Sequence, residues 1–288
     1  NQKSDLLIMH WATPFLSHVF WMILLLTKRL TNTKTMLICH NVLPHEKRLL
    51  DILFTRIVFK NVDYFMVHSK EDQTNLKKIK KNAKIGYGFH PTYESFKHLG
   101  LRKDLKKDLK LKKKTMFFFG YVRRYKGLDY LLKAMPKILE KVDCDLLIVG
   151  EFWKGKQECL DLIKKLGIGD NVKIVSEYIP DEDVKDYFAA SNVVVLPYLS
   201  ATQSGIIQLA FGFEKPVITT NVGGLPNAVN DGKTGFIVPP KDPTAIANKA
   251  IEFFIGNKEK EFVKNIILEK DRFSWDKYVE IIQKIMEK

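Results

Sequence analysis

Short apolar runs, separated by longer amphipathic stretches, constrain this chain more than any other feature. They fall at 5–9, 34–39, 63–68, 115–120, 144–149, 172–175, 192–196, 216–219 and 235–238. Most are apolar without interruption, as in Leu146-Leu147-Ile148-Val149 and Val193-Val194-Val195-Leu196. A strand with one wet face alternates polar and apolar residues. A continuous run is covered on both faces, which predicts a parallel sheet sheathed by helices. Helical patterns fill the gaps. Leu128, Leu131, Leu132, Met135, Ile138 and Leu139 form one stripe over 126–142. Pro180-Asp181 opens a helix that runs to Ala190, and Ser274 caps a final amphipathic helix that runs to Lys288. Strand–helix alternation of this kind predicts doubly wound α/β domains.

A Lys-rich tract at 97–114 divides the pattern, with three of the strand runs before it and six after. We expect a first Rossmann-like domain at 1–100, a connector at 101–113, a second domain at 114–270 and a closing helical segment at 271–288. The first run, Asp5 to His10, reads like the middle of an α/β domain, so the first domain is expected to be incomplete at its start.

The formal net charge is +14, and most of it is local. Residues 76–114 hold 14 Lys/Arg against 3 Asp/Glu, whereas 115–288 hold 24 against 24. No aromatic stacking platform or nucleic-acid motif accompanies the basic tract, so nucleic acid is not the expected partner. An anionic membrane surface suits it, and so does a plain solvated connector. The apolar stretch Phe15–Leu26 is broken by Ser17 and His18 and is followed by Lys28-Arg29. That is short of the roughly 20 clean residues a membrane span needs, so a buried or surface-lying helix is expected. Three widely spaced cysteines, Cys39, Cys144 and Cys159, point to a reducing compartment such as the cytoplasm.

Polar residues collect where apolar strands end. Gly120 closes one run and is followed by Arg123, Arg124, Lys126 and Gly127. Guanidinium, ammonium and helix amides at a strand's carboxyl end suit a diphosphate, although a solvated turn looks the same. Ser200-Ala201-Thr202-Gln203-Ser204-Gly205 follows the apolar run Val193–Tyr198 and supplies hydroxyls and an amide, of which a helix cap would need only one. Gly223-Gly224 permits close backbone approach or a plain turn. His10 and His40 close the first two strands. A metal at His40, His45 and Glu46 matches no zinc spacing, and no metal is expected. Neither the dinucleotide fingerprint nor the P-loop is present.

Taken together, these segments resemble the GT-B fold glycosyltransferases of family 4, strongly over 115–240 and fairly over 1–95. The resemblance implies two Rossmann-like domains facing a cleft. It also implies a retaining, metal-independent enzyme that needs no cofactor beyond a nucleotide-sugar donor such as a UDP- or GDP-sugar. The implied acceptor is a glycan or lipid-linked glycan of the cell envelope, met in the cytoplasm or on the membrane's inner face. By the same resemblance, Gly120, Arg123, Lys126 and Gly127 grip the donor diphosphate, and His10 lies near the transferred sugar. Tyr178 and Ile179 meet the base through backbone, and Phe273-Ser274-Trp275 starts a helix that returns to the first domain. The chain departs from the family at its pair of glutamates, which would fall in Ser200–Gln203 and near Gln208-Leu209. It resembles instead a subgroup with a Ser-Ala-Thr-Gln-Ser-Gly loop, in which Ser204 and Gly205 meet the diphosphate and Thr202 and Gln203 the sugar. A non-catalytic nucleotide-binding or membrane-binding protein of this fold is the alternative.

Overall fold

The computed structural model describes residues 4–43, 50–92 and 104–287. The chain folds into two compact units, Asn1–His90 with Ser274–Lys288, and Pro91–Phe273. Strands and helices are numbered in chain order.

The first unit holds β1 (Leu6–Trp11), α1 (Ser17–Leu30), β2 (Lys34–Cys39), α2 (Asp51–Lys60), β3 (Tyr64–Val67), α3 (Lys70–Ile79), β4 (Lys84–Tyr87) and the closing α12 (Trp275–Met286). Its sheet is parallel, in the order β1-β2-β3-β4. The two-residue period of a strand sends alternate side chains to opposite faces. Leu37, Cys39, Phe65 and Val67 pack with Leu24 of α1, Phe59 of α2 and Leu76 of α3. Met36, Ile38, Tyr64 and Met66 pack with Tyr278 and Ile285 of α12.

β4 is the strand the sequence pattern missed. Lys84-Ile85-Gly86-Tyr87 carries no continuous apolar run. Its place is decided by packing: a Cβ on Gly86 would stand 2.0 Å from Cδ1 of Ile285, so glycine lets α12 close down on the sheet.

The second unit begins with the short α4 (Leu105–Asp108). It continues through β5 (Thr115–Phe119), α5 (Leu128–Leu139), β6 (Asp145–Val149), α6 (Lys156–Leu166), β7 (Val172–Val175), α7 (Asp181–Ala189) and β8 (Val193–Leu196). It ends with α8 (Gly205–Gly212), β9 (Val217–Thr220), α9 (Leu225–Ala228), β10 (Gly235–Val238), α10 (Pro243–Ile255) and α11 (Glu259–Leu268). Within the expected connector, Leu105 is buried and the Lys112 amide donates to the Asp145 carboxylate at 2.7 Å.

All pairings in this sheet are parallel, in the order β10-β9-β8-β5-β6-β7. Met116 and Phe118 of β5 join the core that holds the α5 stripe, and Phe117 and Phe119 meet Phe188 of α7 edge-on. Both faces are therefore covered, which is why these strands read as continuous apolar runs. Each fully buried leucine of the α5 stripe contributes about 1.5–3 kcal/mol. The chain runs outward in one direction from β5 to β7 and in the other from β8 to β10. The switch between β5 and β8 opens the crevice where sheets of this kind bind ligands.

Candidate functional site

The β5 and β8 loops are fastened together at that switch. The Leu199 amide donates to the Tyr125 carbonyl at 2.7 Å. Gly127 sits at φ 64°, and a Cβ there would stand 2.0 Å from the Pro197 carbonyl oxygen. A third loop joins them. The Gly224 amide donates to the Thr202 carbonyl at 2.9 Å, and Gly223, at φ 51°, passes so close that a Cβ would lie 1.5 Å from the Ala201 oxygen. The glycines thus hold three strand-end loops in contact.

This fastening places a cation at the crevice. Lys126 ends a 3₁₀ turn before α5 and is 8% exposed. Its Nζ lies 5.6 Å from the Tyr198 ring centre and 3.0 Å from the position a Gly120 Cβ would occupy. Burial, with the nearby Arg123 charge, lowers the pKa of Lys126 to about 8. A buried ammonium this poorly compensated is suited to an incoming anion. The Tyr198 hydroxyl is hydrogen-bonded to Ser204, and burial raises its pKa. Ser204 also caps α8 by accepting from the Ile206 amide. Arg123 is exposed, and its guanidinium stands 5.1 Å from the Trp153 ring centre.

A cavity of about 390 Å³ extends from this point across the carboxyl ends of β5 to β8. Gly120, Gly205 and Ile206 line one side and Tyr178 and Ile179 another, and Glu151, Glu177 and Asp181 add carboxylates. Gly120, Lys126, Tyr178, Ile179, Ser204 and Gly205 are therefore drawn into one neighbourhood from sites far apart in sequence. Thr202 is buried and Gln203 half-buried in the loop leading to α8. Sequence reasoning missed Tyr121, which is hydrogen-bonded to Glu151, and the carboxylates Glu151 and Glu177. Their positions just past β6 and β7 were the available signal. Gln208, where the resemblance calls for the second glutamate, is 5% exposed with an unpaired Oε1.

The first unit has its own cluster. His10 lies at the end of β1, His40 just past β2, His68 just past β3 and His90 past β4. His10 Nδ1 and His40 Nε2 are 2.9 Å apart, with the rings stacked at 5.2 Å. His68 lies 5.8 Å from His40, 5.7 Å from His90 and 5.8 Å from Tyr278, ring centre to ring centre. Its Nδ1 is 3.0 Å from the Gly88 carbonyl, so Nδ1 carries the proton and donates. Its Nε2 is buried without a partner. Burial outweighs that bond and lowers the His68 pKa to about 4, and burial followed by His10 and His90 lowers that of His40. His68 closes the run at 63–68 and was overlooked although it stands as His40 does, whereas His90 follows β4, which carried no apolar signal. No group of side chains able to hold a metal occurs among the described residues, and His45 and Glu46 lie outside them.

The two parallel units have the architecture of the GT-B glycosyltransferases. Sucrose-phosphate synthase from Thermosynechococcus elongatus shares the fold, with a TM-score of 0.77 and 21% identity over 97% of this chain and 73% of that one. So does HepE of Anabaena, solved in complex with UDP, with a TM-score of 0.78 and 19% identity over 98% of this chain and 78% of that one. Residues 113–254 match the family model of the glycosyl transferases of group 1. An uncharacterized glycosyltransferase of Methanocaldococcus jannaschii is 29% identical over 57% of this chain and 42% of its own length. The N-acetyl-alpha-D-glucosaminyl L-malate synthase of Bacillus anthracis is 27% identical over 92% of this chain and 68% of its own. The chain thus spans less than half the length of the first of these relatives and about two thirds of the second.

Proposed function

We propose that the protein transfers a sugar from a nucleoside-diphosphate sugar to a hydroxyl acceptor, with retention of configuration. The observation that carries this is the buried, poorly compensated Lys126, whose Nζ lies 3.0 Å from where a Cβ of Gly120 would stand, Gly120 itself lining a cavity of about 390 Å³ at the switch point. The site is bipolar. Lys126, Arg123 and the amides opening α8 suit the diphosphate, with Ser204 and Gly205 against its oxygens. Tyr178 and Ile179 suit the base, and Glu151 or Glu177 suits the ribose diol in place of the family's glutamate. Thr202 and Gln203 lie on the sugar side of the same loop. His10, from the first unit, is assigned to the transferred sugar.

In the reaction the bond from the anomeric carbon to the diphosphate oxygen breaks and the acceptor oxygen bonds to the same face of that carbon. The acceptor proton passes to the leaving phosphate. Lys126 and Arg123 stabilise the charge that develops on the leaving group without a metal. The donor is a UDP- or GDP-sugar, and the acceptor a glycan or lipid-linked glycan of the cell envelope. On this reading the protein works in the cytoplasm, on the inner face of the membrane, with residues 76–114 turned towards anionic lipid.

The test is titration calorimetry of UDP, GDP and their sugars, followed by hydrolysis and transfer assays. One nucleotide family should bind. Lys126→Ala and Arg123→Ala should each lower donor kcat/KM by about 10²–10³-fold. Unchanged transfer in both variants would overturn the site. Binding with neither hydrolysis nor transfer to any glycan acceptor would favour a non-catalytic binding protein.

A further inference from the structure

The first unit carries a second site at the opposite end of its sheet from the histidines. A cavity of about 210 Å³ is lined there by Lys28, Lys34, Lys80, Lys84 and Asp63. Four ammonium groups thus share one carboxylate. That carboxylate is already engaged: Asp63 Oδ2 accepts from the Thr35 amide at 2.9 Å and the Thr35 hydroxyl at 2.8 Å, and Oδ1 lies 3.4 Å from Lys28. Lys80 donates to the Val62 and Phe59 carbonyls at 2.6 and 3.1 Å, which holds it in place. No carboxylate among the described residues forms an ion pair with Lys34 or Lys84.

An exposed apolar face adjoins this cavity. On α1, Val19, Met22, Ile23, Leu26 and Leu30 follow one another at helical spacing and are 39–76% exposed. Beside it Leu50, at the cap of α2, leads into Leu53, Phe54 and Ile57, 40–56% exposed. The opposite face of α1 packs on the sheet through Leu24. A helix that is apolar around its circumference belongs between two apolar phases, and only one of them is the core. The charged residues of α1 and α2 are Lys28, Arg29, Arg56 and Lys60 against Asp51. Lys28 belongs both to the last turn of α1 and to the cavity wall, so face and cavity are continuous.

We propose that α1 and α2 lie on the surface of an anionic phospholipid bilayer, with the four-lysine cavity receiving a headgroup phosphate. Apolar side chains enter the acyl boundary while the flanking cations meet the anionic headgroups. A second copy of this chain is a poor occupant. A two-fold interface sets each patch against itself, and would bring these cations together. Nucleic acid offers nothing to the apolar stripe. No helix among the described residues is long and apolar enough to cross a membrane, which fits lying on it. The inference does not rest on the glycosyl-transfer reading, and it moves the contact from the basic tract as a whole to α1, α2 and the amino ends of β2 and β4.

Co-sedimentation of the full chain with vesicles tests it. Binding is expected with phosphatidylcholine–phosphatidylglycerol vesicles and not with phosphatidylcholine alone, and added salt should weaken it. Lys34→Ala and Lys84→Ala should each lower partitioning about five-fold. Met22→Glu with Leu26→Glu should abolish it, while circular dichroism stays unchanged because both positions are exposed. Lys164→Ala with Lys165→Ala, exposed on α6 of the second unit, should have no effect. Absence of binding, equal binding to neutral vesicles, or binding that survives the α1 substitutions would overturn the proposal. So would a dimer in light scattering that Met22→Glu with Leu26→Glu dissociates. Perturbation of Lys34 and Lys84 NMR signals by glycerol phosphate without vesicle binding would make the cavity a free-phosphate site and would also overturn it.

Discussion

At the scale of single residues, the proposed donor binding and the stability of the fold pull on Lys126 in opposite directions. Its folded pKa, about 8, lies below the ordinary 10.5. The charged form is therefore disfavoured by folding. That cost is full below pH 8, shrinks as pH rises and vanishes above 10.5, and it amounts to roughly 3 kcal/mol. Lys126→Met should raise the unfolding temperature of the second unit at pH 7 by about 5–10 °C while weakening donor binding, and the gain should fade towards pH 10. Scanning calorimetry across pH measures it. A diphosphate should push the pKa back up, so binding at pH 8.5 should take up protons, detectable by calorimetry in buffers of different ionisation enthalpy. His68 works in the other pH range. Its folded pKa, about 4, lies below the ordinary 6.5, so the stability it contributes is whole above 6.5 and is lost as pH falls towards 4. His68→Phe should make unfolding between those pH values less pH-dependent by about one proton, read from thermal midpoints.

At the scale of elements, the strand-end loops are held by contacts that leave no room for a side chain. Gly127→Ala must combine a left-handed backbone with a Cβ 2.0 Å from the Pro197 oxygen. The backbone term alone costs about 1–2 kcal/mol, and the collision adds to it. Denaturant unfolding should show a loss of at least that size, with donor affinity falling because Lys126 is the neighbouring residue. Much of this was legible in the sequence. Apolar runs marked nine strands, most of them covered on both faces, and the α5 stripe gave a helix close to its true bounds. β4 escaped because Gly86 and Lys84 carry no apolar signal, and its strand exists only because β3 and α12 enclose it. Arg123, Lys126 and Ser204 stood out as polar residues after apolar strands, a signal that a solvated turn or a helix cap also gives, and only the fold brings Lys126 and Ser204 to Tyr198. Glu151 and Glu177 were not, because a lone carboxylate in a loop looks like any other surface residue.

At the scale of the whole molecule, the last helix belongs with the first strands. α12 closes one face of the β1–β4 sheet through Tyr278 and Ile285, which are 6% and 5% exposed. Ile285→Ala should cost about 2–5 kcal/mol, and hydrogen exchange should locate the loss in β3 and β4 rather than in β5–β10. The sequence by itself determined the class of fold and the polar strand-end loops, because burial on two faces and polar strand ends are local properties written in consecutive residues. The tertiary structure decided which distant groups meet. Strand order sets β5 beside β8 and so brings Lys126 to Tyr198 and Ser204. The parallel register sets four histidines at one end of the first sheet and four lysines at the other. Nor could the apolar run at α1 say which of its faces is covered, since burial depends on neighbours that chain order does not name.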